Sequence, residues 1–320
     1  MSRVGAHAGR LHPSEQLVFA MVFAVMAGFV VVITMSALRS QVNSLLGSRA
    51  AAAGSQTEAV GSGGTMLPVD GPSVGSPAIQ PVSPRLNALL AAAIGPVQSA
   101  HPGRLAVGVI DETTGQQARY ASTQRFSSGS IVTADILAAL LIRHERAGTQ
   151  LTSEQAVLAT AMEHGSASAA TALWREIGRG NGLASANRRL KLTQTIPGPG
   201  VQLNQTRTTV ADQLQLLIDL TSSRSPLSVA DRDYVLRLLS DPGSGPRWGA
   251  AAAGESNAVQ GGQLPDGPLW VTNSLGIVEH TGHVLLVVVL SSGSGSQAAG
   301  VSLVSDAAIA AANVMIHAGH

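Results

Sequence analysis

The 320-residue chain contains no cysteine, only 3% aromatic residues and only 12% charged ones. Zero cysteine excludes a disulfide framework, thiolate metal ligation, a cysteine nucleophile and an acylated lipoprotein cysteine. The net charge is +1 without a basic cluster, which argues against nucleic acid as the principal partner. Lysine is scarcer than the charge balance suggests. Of the 20 basic side chains, 19 are arginine and one, Lys191, is lysine, so any mechanism needing two lysines is excluded. The Ala, Gly and Arg bias is what a GC-rich genome produces, so codon usage accounts for part of that scarcity.

What is present begins with a long apolar run. Leu17–Leu38 is uncharged over 22 residues. At 1.5 Å per residue that is about 33 Å of helix, enough for a hydrocarbon core of about 30 Å. A cleaved signal peptide has a shorter apolar core, about 7–15 residues, and no small-x-small site follows directly. The expectation is therefore a transmembrane helix or signal anchor over 17–38 behind a short N-terminal segment, 1–16. Arg3 and Arg10 precede the span while Arg39 and Arg49 follow it, so flanking charge does not orient it. Residues 39–84 are rich in Gly, Ser, Ala and Pro without helical or strand period, and read as a flexible linker.

Residues 85–320 are long enough for a sizeable core. The pattern predicts a helix over 85–99, strands over 105–112 and 118–122, and helices over 131–146, 153–163, 168–177, 183–190, 208–221 and 228–239. Strands over 270–278 and 283–290 and a last helix over 304–316 follow. That order fits an α+β domain: an antiparallel sheet with the terminal helices on one face, plus an inserted all-α lobe. The apolar run 284–290 fits a central strand covered on both faces.

The stretch FSSGSIVTADILAALL (126–141) carries the most information about chemistry. A Ser-Gly-Ser run opens straight into an apolar helix, placing Ser130 at or beside a helix N-terminus. Backbone N–H groups there can stabilise an oxyanion. The commoner role of serine at such a place is to cap the helix, which Ser128 or Ser130 would do.

This segment resembles the nucleophile segment of class A β-lactamases and related penicillin-recognising serine hydrolases. LATAME (158–163), ATALWREIG (170–178), GLASANRRL (182–190), TTVADQLQLL (208–217), PLSVADRDYVLRLL (226–239) and RWGAAAA (247–253) extend the likeness across nearly all of 85–320. The resemblance implies the class A fold and an extracytoplasmic domain, with 1–16 on the inner side. It implies three motifs, S-x-x-K, S-D-N and K-T-G. Here Ser130 keeps the nucleophile position, but Thr133 stands for the first lysine. Gly165-Ser166-Ala167 stands for S-D-N, so the serine hydroxyl is lost at Gly165 and the amide at Ala167. Gln260 stands for the second lysine, and Gly262 keeps the glycine of that strand. The loop that carries a water-activating glutamate in the family corresponds to 197–209, which holds no carboxylate. Gln202-Leu203-Asn204 shows amides there, at a spacing shorter than the family's.

A threonine hydroxyl is nearly non-basic and cannot replace a lysine amine as a base. Three motifs without their ionisable or proton-relaying member imply a pseudoenzyme that binds a peptide-like or cell-wall ligand. The other implied reading is a weak serine hydrolase acylated at Ser130. No cofactor or metal is implied. Glu163 and His164 flank the second motif; exposed helix-terminal residues are the ordinary reading, a new acid–base pair the other. His280 and His283, with Glu279, read as hairpin-edge residues rather than a metal site. Lys191 reads as a solvated helix end, and Trp174, Trp248 and Trp270 as packing residues.

Overall fold

The computed structural model describes residues 77–241 and 247–317. The apolar stretch Leu17–Leu38, the segment before it and most of the linker lie outside the described residues. The first elements are α1 (Pro84–Ala100), β1 (Arg104–Asp111), β2 (Gln117–Tyr120) and β3 (Phe126–Ser127). A 3-10 turn, Gly129–Ile131, then leads into α2 (Val132–Ala147). The helical lobe continues with α3 (Ser153–Glu163), α4 (Ala167–Glu176) and α5 (Arg179–Arg189), and after the short β4 (Arg207–Thr208) come α6 (Val210–Thr221) and α7 (Val229–Leu239). The chain closes with β5 (Glu255–Asp266), β6 (Leu269–His280), β7 (His283–Ser294) and α8 (Gln297–His317).

Five strands form one antiparallel sheet in the order β2-β1-β7-β6-β5, and β3 pairs with β4 in a separate ladder. The expected central strand is β7. Leu285, Val287 and Val289 face one layer together with Leu105, Val107 and Val109 of β1, under Leu90 and Ile94 of α1 and Leu303 and Ala307 of α8. Leu286, Val288 and Leu290 face the opposite layer, with Ile136 and Leu140 of α2 and Leu214 and Leu217 of α6. Both terminal helices therefore cover one face and the helical lobe the other. The two-residue alternation of a strand feeds both cores from a single apolar run. Among the described residues α8 is long and apolar enough to cross a membrane. Its apolar side is used by the sheet.

Several boundaries differ from the sequence expectation, and three of them have a clear physical reason. The domain begins before Arg85: Gln80 N–H donates to Gly115 O at 2.8 Å, and Ser83 caps α1. Helix α5 starts four residues earlier than its apolar pattern, because its first turn is glycine-rich and its packing against α2 overrides propensity. Helix α8 starts seven residues earlier than expected. Its first turns carry Gly300, where a Cβ would stand 2.2 Å from Thr272 Oγ1, so this end of the helix lies too close to β6 for a larger residue. Strand β5 has no apolar period of its own, since it is an edge strand bonded only to β6.

The helical lobe is centred on Trp174 of α4, which is fully buried, with Nε1 donating to Gly200 O at 2.9 Å. One side chain thus fills the lobe core and fixes the 197–209 loop. Trp174→Ala is expected to cost about 3–5 kcal/mol in urea unfolding, and Trp174→Phe a smaller loss that includes about 1 kcal/mol for the hydrogen bond.

Candidate active-site cleft

The cleft lies between the helical lobe and the free edge of β5 and has a volume of about 530 Å3. Ser130, Thr133, Gly165, Ala167 and Gln260 all line it. Residues spread over 131 positions of sequence therefore meet in one place, and Gly262 lies directly behind them. A Cβ at Gly262 would stand 2.6 Å from Ile131 N and 2.7 Å from Ser130 N. The β5 backbone touches the Ser130 turn, and only glycine permits that approach.

The turn itself is held by a residue the sequence reading passed over. Asn273 of β6 is fully buried. Its Nδ2 donates to Ser127 O at 2.8 Å and to Ser128 O at 2.9 Å, while its Oδ1 accepts from Ser291 N at 3.0 Å. A fully bonded buried amide joins the serine turn to two central strands. The available signal was an asparagine inside a strand pattern, where the residue type is depleted unless its polar groups have partners.

The capping expectation for Ser128 and Ser130 does not hold. The 3-10 turn and α2 both start without a side-chain cap, and Ser128 Oγ instead donates to Gly129 O at 3.1 Å. The turn supplies a continuous helical entry, so the Ser130 hydroxyl, half-buried at the cleft wall, is not consumed by backbone capping.

Thr133 donates to Ser130 O at 3.0 Å and accepts from Gln260 Nε2 at 2.7 Å. The two positions that the resemblance assigns to lysines are thus bonded to each other as a neutral pair. Gln260 Oε1 is left buried without a partner. Gly165 is in the left-handed region at φ 87° and adds no polar atom. Ser166 caps α4, accepting from Ala169 N at 3.3 Å.

Glu163 and His164 point to different surroundings. His164 is exposed and pairs with Asp241 at 3.2 Å. Glu163 is 3% exposed, lines the cleft, and neither of its carboxylate oxygens has a hydrogen-bond partner. The exposed reading of Glu163 is therefore corrected: the last turn of α3 rolls this side chain inward. Burial pushes its carboxyl from 4.5 to about 7, against the smaller opposing pull of the Thr133 hydroxyl. Lys191 is exposed and lies outside the cleft, near enough to Asp219 to favour that carboxylate's charge.

Behind the serine helix lies a second buried polar cluster. Gln213 Nε2 donates to both oxygens of Asp135, at 3.2 and 3.3 Å, and to Thr208 Oγ1 at 3.0 Å. Thr195 Oγ1 contacts Thr208 Oγ1 at 2.9 Å and donates to Asp212 Oδ2 at 2.7 Å. The cluster ties both ends of the 197–209 loop to α2 and α6. That loop gives Gln202 and Asn204 to the cleft wall, so its amides do reach the site despite their spacing. Burial pushes Asp135 up to about 7.

Among the described residues no three His, Asp or Glu side chains gather as a metal site. His283 instead pairs with buried Asp111 at 2.9 Å across the β1–β7 edge.

This arrangement is the class A β-lactamase fold. A β-lactamase from Xanthomonas campestris pv. campestris superposes with a TM-score of 0.60 at 20% identity, over 72% of this chain and 98% of that one. A β-lactamase from Streptosporangium roseum gives 0.59 at 17% identity, over 73% and 99%. A representative of the class A β-lactamases from Bacteroides cellulosilyticus gives 0.62 at 10% identity, over 72% and 98%. No family model matches the chain, and no curated protein does. The shared property is the fold.

Two measurements test this geometry. Raised folded-state pKa values mean the native state holds these protons more tightly than the unfolded chain. The contribution of Glu163 is then full below about pH 4.5 and lost as pH rises through about 7; Asp135 acts in the same direction over a window starting near 3.8. Stability from chemical denaturation should fall from pH 5 to pH 8, and Glu163→Gln should flatten that fall and stabilise at pH 8. Gly262→Ala should destabilise by about 1–3 kcal/mol, from overpacking against backbone, and change the amide NMR shifts of Ser130 and Ile131.

Proposed function

We propose that the chain is a membrane-anchored extracytoplasmic binding module built on the class A β-lactamase fold, a pseudoenzyme whose cleft takes a peptide-like or cell-wall ligand without hydrolysing it. The observation that carries this reading is the neutral Thr133–Gln260 hydrogen bond in the centre of the cleft. Where the family resemblance calls for two ammonium groups, the chain has a hydroxyl and an amide satisfying each other. Neither can take the proton from Ser130 at neutral pH, and a missing general base alone costs about 10²–10⁴-fold in rate. Gly165 and Ala167 remove the groups that would relay a proton to the leaving group. The apolar run Leu17–Leu38 is the anchor in this reading, with 1–16 inside.

A second reading, slow acylation at Ser130, draws on one observation. Glu163 faces the same cleft with a carboxyl raised to about 7, in the range of a general base.

Labelling distinguishes the readings. Wild-type protein and Ser130→Ala are incubated with a fluorescent penicillin and with a fluorophosphonate probe, and soluble peptidoglycan fragments are titrated in parallel. The expected outcome is no Ser130-dependent label together with saturable fragment binding. A Ser130-dependent adduct would establish the weak hydrolase. Absence of both label and binding would leave only a structural ectodomain.

A further inference from the structure

Of the side chains that line the cleft Glu163 is the acid and His164 an imidazole, and none is lysine or arginine. Three buried oxygens lack partners there: Glu163 Oε1, Glu163 Oε2 and Gln260 Oε1. Gln260 Nε2 donates to Thr133 Oγ1 at 2.7 Å, and the Thr133 hydroxyl has Ser130 O, at 3.0 Å, and the Glu163 carboxylate as acceptors. In that arrangement Gln260 Oε1 has no hydrogen-bond partner.

We propose that the cleft recognises the primary ammonium group of a peptide-like ligand, held by the Glu163 carboxylate and by Gln260 Oε1. This rests on the binding-module reading and names its ligand chemistry. A primary ammonium carries donors and one positive charge, and the site offers the Glu163 carboxylate, with no cation paired to it, and the Gln260 amide oxygen. A water molecule would meet the hydrogen-bonding need but not the charge. A ligand carboxylate would stand against Glu163 in a low-dielectric site, which penalises like charges. Relative to the resemblance, the polarity is inverted: the cation comes with the ligand.

Other groups also act on Glu163. Thr133 on α2 favours its charged form, whereas Tyr234 on α7 interacts with it electrostatically beneath Arg237. The Tyr234 hydroxyl is a single neutral donor, itself unpartnered, and supplies no charge. His164, which also lines the cleft, pairs with Asp241 at 3.2 Å.

The test is calorimetric titration of the full-length protein at pH 8. Four probes are compared: Ala-Ala-Ala-amide, its N-acetylated form, acetyl-Ala-Lys-Ala-amide, and acetyl-Ala-Ala-Ala with a free carboxylate. Binding by the first probe and not the second assigns an α-ammonium. Binding by the third and not the second assigns a side-chain ammonium. In either case Glu163→Gln should weaken binding at least tenfold. That variant removes an unpaired buried charge, so it should fold at least as well as the wild type. Adding the bound amine to protein labelled with 13C at glutamate carboxyls should also lower the Glu163 titration midpoint. The ammonium proposal is overturned by equal binding of amine and acetylated probes, by an unchanged affinity in Glu163→Gln, or by no amine binding. Preference for the free-carboxylate probe overturns it while leaving the binding module standing, and a Ser130 adduct overturns the module itself.

Discussion

The site depends on one backbone approach, the edge of β5 against the turn that carries Ser130. Gly262 permits it because a Cβ would strike two backbone nitrogens of that turn. Asn273 makes it permanent by bonding two carbonyls of the preceding residues from the sheet interior. The cluster around Gln213 and Asp212 then fastens the same helix from behind and anchors the loop that forms the far cleft wall. Serine turn, sheet edge and loop are thereby fixed before any ligand arrives. Preorganisation of this kind serves catalysis and recognition equally, since neither requires reordering of the chain on binding.

Within that rigid frame the charge of the cleft differs from the one that the resemblance implies. A cleft with two lysines attracts a carboxylate; this cleft has neither, and it holds Glu163 instead. The carboxyl remains inside although its burial is uncompensated, which costs stability as pH rises. An uncompensated carboxyl buried at a cleft sets folding stability against recognition, as functional sites often do. The fold is that of the class A β-lactamases, and the acid in the cleft is Glu163.

Much of the fold was legible in local pattern. The run Val284–Leu290 announced a central strand because a strand covered on both faces has no polar side to show. The helices 153–163 and 228–239 were readable from their pattern, and in the structure Thr152 and Ser228 cap them. Strand β5 was invisible to periodicity: an edge strand made of Gly, Gln, Pro and Asp satisfies pairing and a close approach, not a hydrophobic face. The early starts of α5 and α8 were hidden by glycines whose role is contact with another element. In the site, Thr133, Gly165, Ala167 and Gln260, the positions singled out by the resemblance, line one cleft.

The sequence alone determined the layered α+β architecture and the presence of a single lysine, Lys191. Those follow from periodicity and residue identity, which are local. Only the tertiary structure decided that Thr133 and Gln260 bond each other, that Asn273 holds the serine turn, and that Glu163 is buried at the cleft while its neighbour His164 is exposed. Each of these depends on which atoms two distant segments bring within about 3 Å, and on how much water is excluded there. Neither quantity is written in the order of residues along one element.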